Sequence, residues 1–237
     1  MCGRFTLRLS SAELQAFFNL FRADDVSARF NIAPTQLVMT ISLDGKGQRL
    51  GLMRQWGLIP SWAKDPSIGS KMINARSESV AEKPAFRSAF RSAFRSAFRS
   101  RRCLVPASGF YEWQATGAKV KQPWLILPAD GPLLVFAGLW ESWKDPTGTR
   151  LETCTILTTA PNGMMAEIHD RLPVILDSEA FPVWLDPAID DAEALQSLLV
   201  PCPDEWLEKV PVSTRVSNVR NDDPDCIKPI AMQGDLF

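Results

Sequence analysis

Apolar and polar residues alternate in short stretches along most of this chain, and turn-forming residues separate the stretches. Alternation with a period of two is typical of strands that bury one face, so the pattern predicts a strand-rich protein. The predicted strands are residues 4–9, 37–42, 49–56, 103–106, 109–115, 123–127, 133–139, 152–159 and 207–213. Glycine-containing turns at 44–47, 116–117 and 130–131 predict antiparallel hairpins.

Helical patterns are fewer than strand patterns. One helix is predicted at 11–21, because Ser10 and Glu13 form a capping-box pair in which each side chain can bond the other residue's backbone N–H. Two further helices are predicted at 178–185 and 190–199. The chain shows no βαβ alternation and no dividing linker, so we predict an α+β fold dominated by antiparallel strands, with peripheral helices, in one domain over residues 1–237.

Residues 85–100 differ from the rest because they are four identical copies of Ala-Phe-Arg-Ser, followed by Arg101 and Arg102. A four-residue period keeps the phenylalanines near one side of an α-helix, so we predict a helix over 85–100. The arginines then form a parallel stripe. This stripe fits either phosphate contact or plain solvation, and the amphipathic pattern favours solvation.

Composition narrows the class of protein. The chain has 237 residues and is 46% hydrophobic, enough for a substantial core, and its net charge of −1 excludes bulk attraction to nucleic acid. Its five widely spaced cysteines include no CxxC pair, which argues against a disulfide framework and a zinc knuckle and favours a reducing compartment. No apolar stretch has the length of a signal peptide or a membrane span, so we expect a cytoplasmic protein.

Cys2 directly follows Met1, so removal of one residue would leave an amino-terminal cysteine. The α-amine and thiol have reference pKa values of about 7.7–8.0 and about 8.5, so both can be partly reactive near neutral pH. The amine can form an imine with an aldehyde, and the sulfur can then close a thiazolidine ring. Position alone favours the simpler interpretation that a small residue is tolerated there.

Other polar residues suggest chemistry without proving it. His169, the one histidine, follows a predicted short helix and could act as a general acid or base, although a lone histidine is more often structural. Glu112 lies between aromatic residues on a predicted strand, where burial would raise its pKa, unless it faces outward. Asn74 and Arg76 share one face of an extended segment, where they could orient a sugar and bind a phosphate.

Six motifs occur together in this chain. They are Met-Cys-Gly-Arg-Phe at 1–5, Arg-Phe-Asn-Ile-Ala-Pro at 29–34, Trp-Gly-Leu-Ile-Pro at 56–60, Ile-Asn-Ala-Arg-Ser-Glu at 73–78, Gly-Phe-Tyr-Glu-Trp at 109–113 and Ile-His-Asp-Arg-Leu-Pro at 168–173. In these motifs and their order, the chain resembles the SRAP family, the SOS response-associated peptidases, better described as abasic-site processing proteins. The resemblance runs from Cys2 to about Asn218 and implies a barrel-like β core.

The resemblance also implies a function, which is to sense and shield abasic sites in single-stranded DNA. In that chemistry the Cys2 amine attacks the ring-opened sugar aldehyde, water leaves, and the thiol closes a stable thiazolidine, giving a DNA–protein crosslink. Asn74 would position the amine and sugar, His169 would assist proton transfer at the sugar oxygen, and Glu112 would shuttle protons. The resemblance implies no metal, no organic cofactor and no membrane, and a monomer that associates with the nucleoid when bound to DNA.

The same resemblance assigns DNA contacts. Arg4 and Arg76 would contact phosphates, and Pro34 and Trp62 would stack against bases beside the lesion. Two features depart from the family pattern. Some relatives carry two tryptophans where this chain has Trp62 alone, and the repeat at 85–100 is about two copies longer than expected.

Two other classes of function stay open. A cysteine peptidase would use Cys2 with His169 and Glu112, and it could remove Met1 by self-processing. A non-covalent single-strand binder would use only the arginines and aromatic residues. A zinc site formed by Cys2, His169 and Glu112 is disfavoured because no ligand pair has the spacing of a metal motif.

Overall fold

The computed structural model describes residues 2–80, 97–117 and 119–231. The strands are β1 (Phe5–Leu7), β2 (Arg22–Ala23), β3 (Arg29–Ile32), β4 (Leu37–Leu43), β5 (Arg49–Trp56), β6 (Asn74–Arg76), β7 (Arg102–Ala107), β8 (Gly109–Gln114), β9 (Gln122–Pro128), β10 (Leu134–Lys144), β11 (Arg150–Thr159), β12 (Leu172–Pro173) and β13 (Leu207–Pro211). The helices are α1 (Ser11–Phe18), α2 (Ser77–Val80), α3 (97–100), α4 (Gly163–Ala166), α5 (Ala180–Leu185) and α6 (Ala192–Ser197).

Five strands close into a barrel in the order β11, β10, β7, β4 and β5, and β5 pairs with β11 to complete the ring. The β5–β11 pairing is parallel, whereas the other pairings in the ring are antiparallel. Helix α5 covers β7, where the Trp184 indole N–H donates to the Cys103 carbonyl at 2.9 Å. The expected α+β fold with a mostly antiparallel, barrel-like core is therefore confirmed.

A second sheet, in the order β13, β9, β8, β1 and β3, lies beside the barrel and carries the start of the chain. Phe5 of β1 joins the two layers, because its ring packs edge-on against Trp56 of β5 and Phe136 of β10. Burying a phenylalanine contributes roughly 1.5–3 kcal/mol, and each favourable ring contact adds roughly 0.5–1.5 kcal/mol. These contacts fix β1, and with it the segment that begins at Cys2.

Two short strands extend the barrel towards the same end of the molecule. Strand β6 pairs in parallel with β11, and β12 pairs with β11 in antiparallel register. Asn74 lies opposite Ile156, and Arg76 lies opposite Thr158, which also pairs with Pro173. The segment 74–76 and the turn that precedes β12 therefore meet on one strand, although they are distant in sequence.

Most predicted elements are present, with two corrections. Helix α1 has the expected capping box but ends at Phe18 and not at 21, because Asn19 adopts the left-handed conformation that ends a helix. The hairpin predicted at 130–131 is wrong, since β9 pairs with β8 and β13 whereas β10 pairs with β7 and β11. This turn instead links the two sheets. The prediction failed because alternation shows which face a strand buries but not which strand it pairs with.

The helix predicted over 85–100 lies outside the described residues except for its last four positions. Residues 97–100 are helical, and the Ala97 and Phe98 side chains are buried. Phe98 packs against Trp184 with a distance of 5.9 Å between ring centroids. The last phenylalanine of the repeat therefore belongs to the core. No helix in the described ranges is long and apolar enough to cross a membrane.

Candidate active site

Pairing between β1 and β8 brings the start of the chain beside Glu112. Phe5 lies opposite Phe110, and the Tyr111 N–H donates to the Arg4 carbonyl at 2.9 Å. Continued in this register, Cys2 and Glu112 lie on neighbouring extended segments. Cys2 is fully buried, so its neighbours and not bulk water determine its chemistry.

Asn74 contacts Cys2 from the opposite side, at the start of β6. Its Nδ2 donates to the Cys2 carbonyl at 2.8 Å. Its Oδ1 is buried and has no hydrogen-bond partner in the described part of the chain. A buried amide oxygen without a partner costs roughly 1–3 kcal/mol, and such an atom beside a reactive residue indicates a place for a donor.

Glu112 is a buried carboxylic acid, and its side chain does not face outward as strand alternation alone would allow. Burial is the main cause that raises its pKa from an ordinary value of 4.5 to about 7. Near neutral pH the acid and the carboxylate are therefore present in similar amounts. A group in this state can both donate and accept a proton, as general acid–base catalysis requires.

His169 approaches Glu112 from the turn that follows α4. Its Nε2 is 4.0 Å from a Glu112 carboxylate oxygen, a distance longer than a hydrogen bond between these two atoms. Its Nδ1 accepts the Arg171 backbone N–H at 3.0 Å and lies 2.9 Å from an oxygen of the exposed Asp170 carboxylate. These two contacts demand opposite roles of Nδ1. The backbone N–H can only donate, so the neutral ring carries its hydrogen on Nε2, facing Glu112.

The electrostatics of His169 and Cys2 agree with neutral forms of both groups. Burial is the main cause that lowers the pKa of His169. Burial first, and the nearby Glu112 carboxylate second, raise the pKa of the Cys2 thiol well above its ordinary range. The expectation of a partly ionised thiol near neutral pH is therefore wrong in this environment. The sulfur must lose its proton to a neighbouring base as it reacts.

Arg4 lies beside this cluster, held by hydrogen bonds to protein groups. Its Nη1 donates to Asn31 Oδ1 at 2.8 Å and to the Val216 carbonyl at 2.9 Å. Its guanidinium carbon lies 5.6 Å from the centre of the Trp113 ring. Its Nε is buried and has no partner in the described ranges. Burial lowers the pKa of Arg4, but an arginine still carries its charge at neutral pH.

Trp56, at the end of β5, connects the segments that carry the remaining predicted residues. Its carbonyl accepts the Thr35 N–H at 2.7 Å, and its indole N–H donates to the Ile73 carbonyl at 2.8 Å. Pro34 precedes the first partner, and Asn74 follows the second. The sequence analysis includes Trp56 in a motif but does not predict this role. A buried tryptophan needs an acceptor for its indole N–H, so the sequence could have indicated that Trp56 bonds a neighbouring segment.

Trp62 and Arg76 are exposed. Trp62 is 47% exposed and lies on the connection from β5 to β6. Gly57 starts this connection with φ of 128°, and a Cβ there would lie 2.6 Å from the Gly69 carbonyl oxygen. The backbone at this point therefore requires glycine. The described hydrogen bonds do not join Trp62 or Pro34 to Cys2.

A bidentate ion pair between Arg171 and Glu78 supports the cluster and was missed from sequence. The two guanidinium Nη atoms lie 2.7 and 2.9 Å from the Glu78 carboxylate oxygens, and Nη2 also donates to the Thr158 carbonyl at 2.6 Å. The pair ties the His169 turn to α2, directly after Arg76. Both residues lie within the motifs named above, so their opposite charges could have indicated an ion pair between those two motifs. Residues 2–80, 97–117 and 119–231 contain no group of three or more His, Cys, Asp or Glu side chains that could hold a metal.

The chain is similar to proteins named for abasic site processing. Abasic site processing protein YoqW of Bacillus subtilis is 44% identical over 231 residues, which cover 96% of this chain and 99% of YoqW. Abasic site processing protein HMCES of Gallus gallus is 36% identical over 209 residues, which cover 78% of this chain but 59% of HMCES.

The fold has a counterpart among solved structures. A crystal structure of a protein from Bacteroides thetaiotaomicron matches with a TM-score of 0.84 at 26% identity, covering 97% of this chain and 100% of that chain. The sequence profile of the SOS response associated peptidase (SRAP) family matches residues 1–219. Because this match covers most of the chain, and YoqW aligns over nearly its full length, the protein belongs to the SRAP family.

Proposed function

We propose that this protein senses and shields abasic sites in single-stranded DNA by forming a covalent thiazolidine through Cys2 after Met1 is removed. The observation that carries this proposal is the meeting of Cys2, Asn74, Glu112 and His169, which come from four separate segments. The names of the relatives supply the substrate class. The protein would act as a cytoplasmic monomer without metal or organic cofactor.

In the first step the Cys2 amine adds to the aldehyde carbon of the ring-opened sugar. The Asn74 Oδ1, which has no partner among the described residues, would accept a hydrogen bond from the amine and orient the nitrogen lone pair towards the carbon. His169, with its hydrogen on Nε2, would donate a hydrogen bond to the sugar ring oxygen as the ring opens, while the proton of the anomeric hydroxyl passes to that oxygen. Glu112 in its acid form would then protonate the hydroxyl of the adduct, which leaves as water and gives the protonated imine, an iminium, with Glu112 left as the carboxylate.

In the second step the Cys2 sulfur adds to the imine carbon and closes a five-membered ring. The thiol proton passes to Glu112, now a carboxylate, because burial keeps the free thiol neutral. The iminium nitrogen keeps its proton and becomes the secondary amine of the ring. Ring closure removes the iminium that makes the neighbouring sugar proton acidic, so β-elimination stops and the DNA strand stays intact.

The sulfur is tested by comparing Cys2→Ala and Cys2→Ser with the wild type on a single-stranded oligonucleotide that contains one abasic site. The wild type should give a stoichiometric gel shift that survives denaturation. Cys2→Ala should give none, and Cys2→Ser should give an adduct only after borohydride reduction of its imine. An unreduced Cys2→Ser adduct as stable as that of the wild type would contradict the role assigned to sulfur.

Peptidase activity is the weaker alternative. A cysteine peptidase would use the same Cys2 thiol with Glu112 or His169 as its base, but the relatives are named for abasic site processing. Turnover separates the two functions, because a peptidase cleaves many peptides per molecule and a trap is consumed once. Incubation of the mature protein with peptides should therefore give no multiple-turnover cleavage.

A further inference from the structure

Asn31 is the centre of a hydrogen-bond network that the proposed chemistry does not use. It lies on β3, fully buried. Its Nδ2 donates to the carbonyls of Val216, Asn218 and Asn221 at 3.1, 3.1 and 2.6 Å, and its Oδ1 accepts from Arg4 at 2.8 Å. One amide therefore joins the start of the chain to a turn more than 180 residues later.

Asp222 holds the other end of this turn against the same strand. Its carboxylate accepts the backbone N–H groups of Phe30 and Asn31 at 2.6 and 2.9 Å and is also paired with the Arg29 guanidinium. Strand β3 is an edge of its sheet, and its register with β1 shifts between Arg29 and Ile32, so one carboxylate oxygen accepts both consecutive N–H groups. The segment 216–222 is thus bound to β3 at both of its ends.

The network fixes Arg4 but leaves part of its guanidinium uncommitted. Both described hydrogen bonds of the guanidinium use Nη1, and one of their acceptors is the Val216 carbonyl of the held segment. Trp113, over which the guanidinium lies, is itself held by the same segment, because its indole N–H donates to Ser217 Oγ at 3.0 Å. The buried Nε has no protein partner among the residues described. An arginine held by one Nη atom can offer its other donors to a planar or tetrahedral anion.

We propose that Asn31 is a positioning residue, which holds the Arg4 guanidinium and the segment 216–222 in the orientation that binds a phosphate of the DNA strand. This inference rests on the proposed function, because it takes the phosphate to belong to the strand that carries the lesion. Asn31 does not touch the reacting atoms. A purely structural Asn31 would satisfy the same carbonyls without affecting how Arg4 binds an anion.

The test measures non-covalent binding of single-stranded DNA with a tetrahydrofuran analogue of the abasic site, which has no aldehyde. Fluorescence anisotropy at several salt concentrations gives the slope of log K against log salt. Each phosphate contact contributes about 0.7 to this slope for a single strand. Asn31→Ala and Arg4→Gln should each lower the slope by about 0.7, and each should weaken binding by about tenfold at low salt.

The double variant distinguishes a positioning role from a structural one. If Asn31 acts through Arg4, adding Asn31→Ala to Arg4→Gln should change neither slope nor affinity by more than about twofold. An unchanged slope in Asn31→Ala, or fully additive losses in the double variant, would overturn the proposal. All measurements are made well below each variant's melting temperature. If Asn31→Ala does not fold, Asn31→Ser, which keeps a polar group in the site, takes its place with the same two criteria.

Failure of the proposed function remains distinguishable from failure of this inference. The wild-type mature protein is also incubated with an oligonucleotide containing a true abasic site and analysed by denaturing gel. Absence of a crosslink there would contradict the covalent function. The salt slopes, which are measured without an aldehyde, would still decide the role of Asn31.

Discussion

Two arginines, the buried Arg102 and the half-buried Arg4, differ in how their guanidinium groups are bound. Arg102, between α3 and β7, is 2% exposed, and each of its three guanidinium nitrogens donates to the backbone. The acceptors are the carbonyls of Phe98, Arg99, Trp184, Asp186 and Ile189. Arg4 uses one nitrogen for its described hydrogen bonds and keeps a buried Nε without a partner.

The difference extends to the surroundings of each arginine. The Arg102 acceptors lie at or beyond the carboxyl ends of α3 and α5, where helix carbonyls lack partners, so a saturated guanidinium stabilises both helix ends. Around Cys2, by contrast, the Asn74 Oδ1 has no partner within the described ranges, and Glu112 has a raised pKa. The Arg102 region therefore serves stability, whereas the Cys2 region keeps costly polar groups, which the proposed function assigns to substrate binding and proton transfer.

Arg102→Met should produce the largest effect on stability. It removes five hydrogen bonds and leaves buried carbonyls unsatisfied, so the free energy of unfolding should fall by roughly 4 kcal/mol. Urea denaturation measures the change. Arg99→Met is the matched control, because Arg99 is exposed and its pairing with Asp190 is 3.8 Å long, so it should cost less than about 0.5 kcal/mol. Equal losses in both variants would contradict the assignment of Arg102.

Glu112→Gln should raise stability at alkaline pH. The pKa of Glu112 is raised in the folded protein, so its stabilising protonated form is fully present below pH 4.5 and is lost as the pH rises through about 7. The wild type should therefore lose about 3 kcal/mol across this interval from this group, and Glu112→Gln should not. Urea denaturation of both proteins at about pH 5 and about pH 8.5 tests the sign of this change in the free energy of unfolding. A wild type that becomes more stable relative to Glu112→Gln with rising pH would contradict it. The variant should also crosslink more slowly.

Arg4→Gln should weaken DNA binding strongly and lower stability only slightly, whereas Arg102→Met should mainly lower stability. It should weaken binding of single-stranded DNA by about tenfold, because one charge-assisted phosphate contact is lost. Its stability loss should stay below about 1.5 kcal/mol, since Gln can still donate to Asn31. Anisotropy and urea denaturation give the two values. A large stability loss with unchanged DNA binding would show that Arg4 belongs with Arg102.

Trp62→Ala should have the smallest effect. Trp62 is 47% exposed, so its loss should change stability by less than about 0.5 kcal/mol. If a base stacks on it, binding of single-stranded DNA should weaken by about 1 kcal/mol or somewhat more. Phe21→Ala is the control, because Phe21 is 66% exposed and has no assigned role. Equal DNA affinity in the two variants would remove Trp62 from the binding surface.

The sequence predicted elements and residue types better than it predicted partners. Alternation identified β8 and therefore the position of Glu112, but it could not show that β8 pairs with the start of the chain beside Cys2. The turn at 130–131 was misjudged for the same reason, because pairing is decided by long-range packing. Neutralisation of the Cys2 thiol and the network around Asn31 depend on burial and on contacts between distant segments, which no local pattern encodes.

The central claim is that Cys2, as the first residue of the mature chain, becomes covalently joined to an abasic site. Intact mass spectrometry of the purified protein, before and after mixing with a single-stranded abasic oligonucleotide, tests it most directly. The account predicts a protein that lacks Met1 and one adduct whose mass is that of protein plus oligonucleotide minus one water. The mass of the unmodified mature protein after mixing, with the oligonucleotide intact, would contradict it.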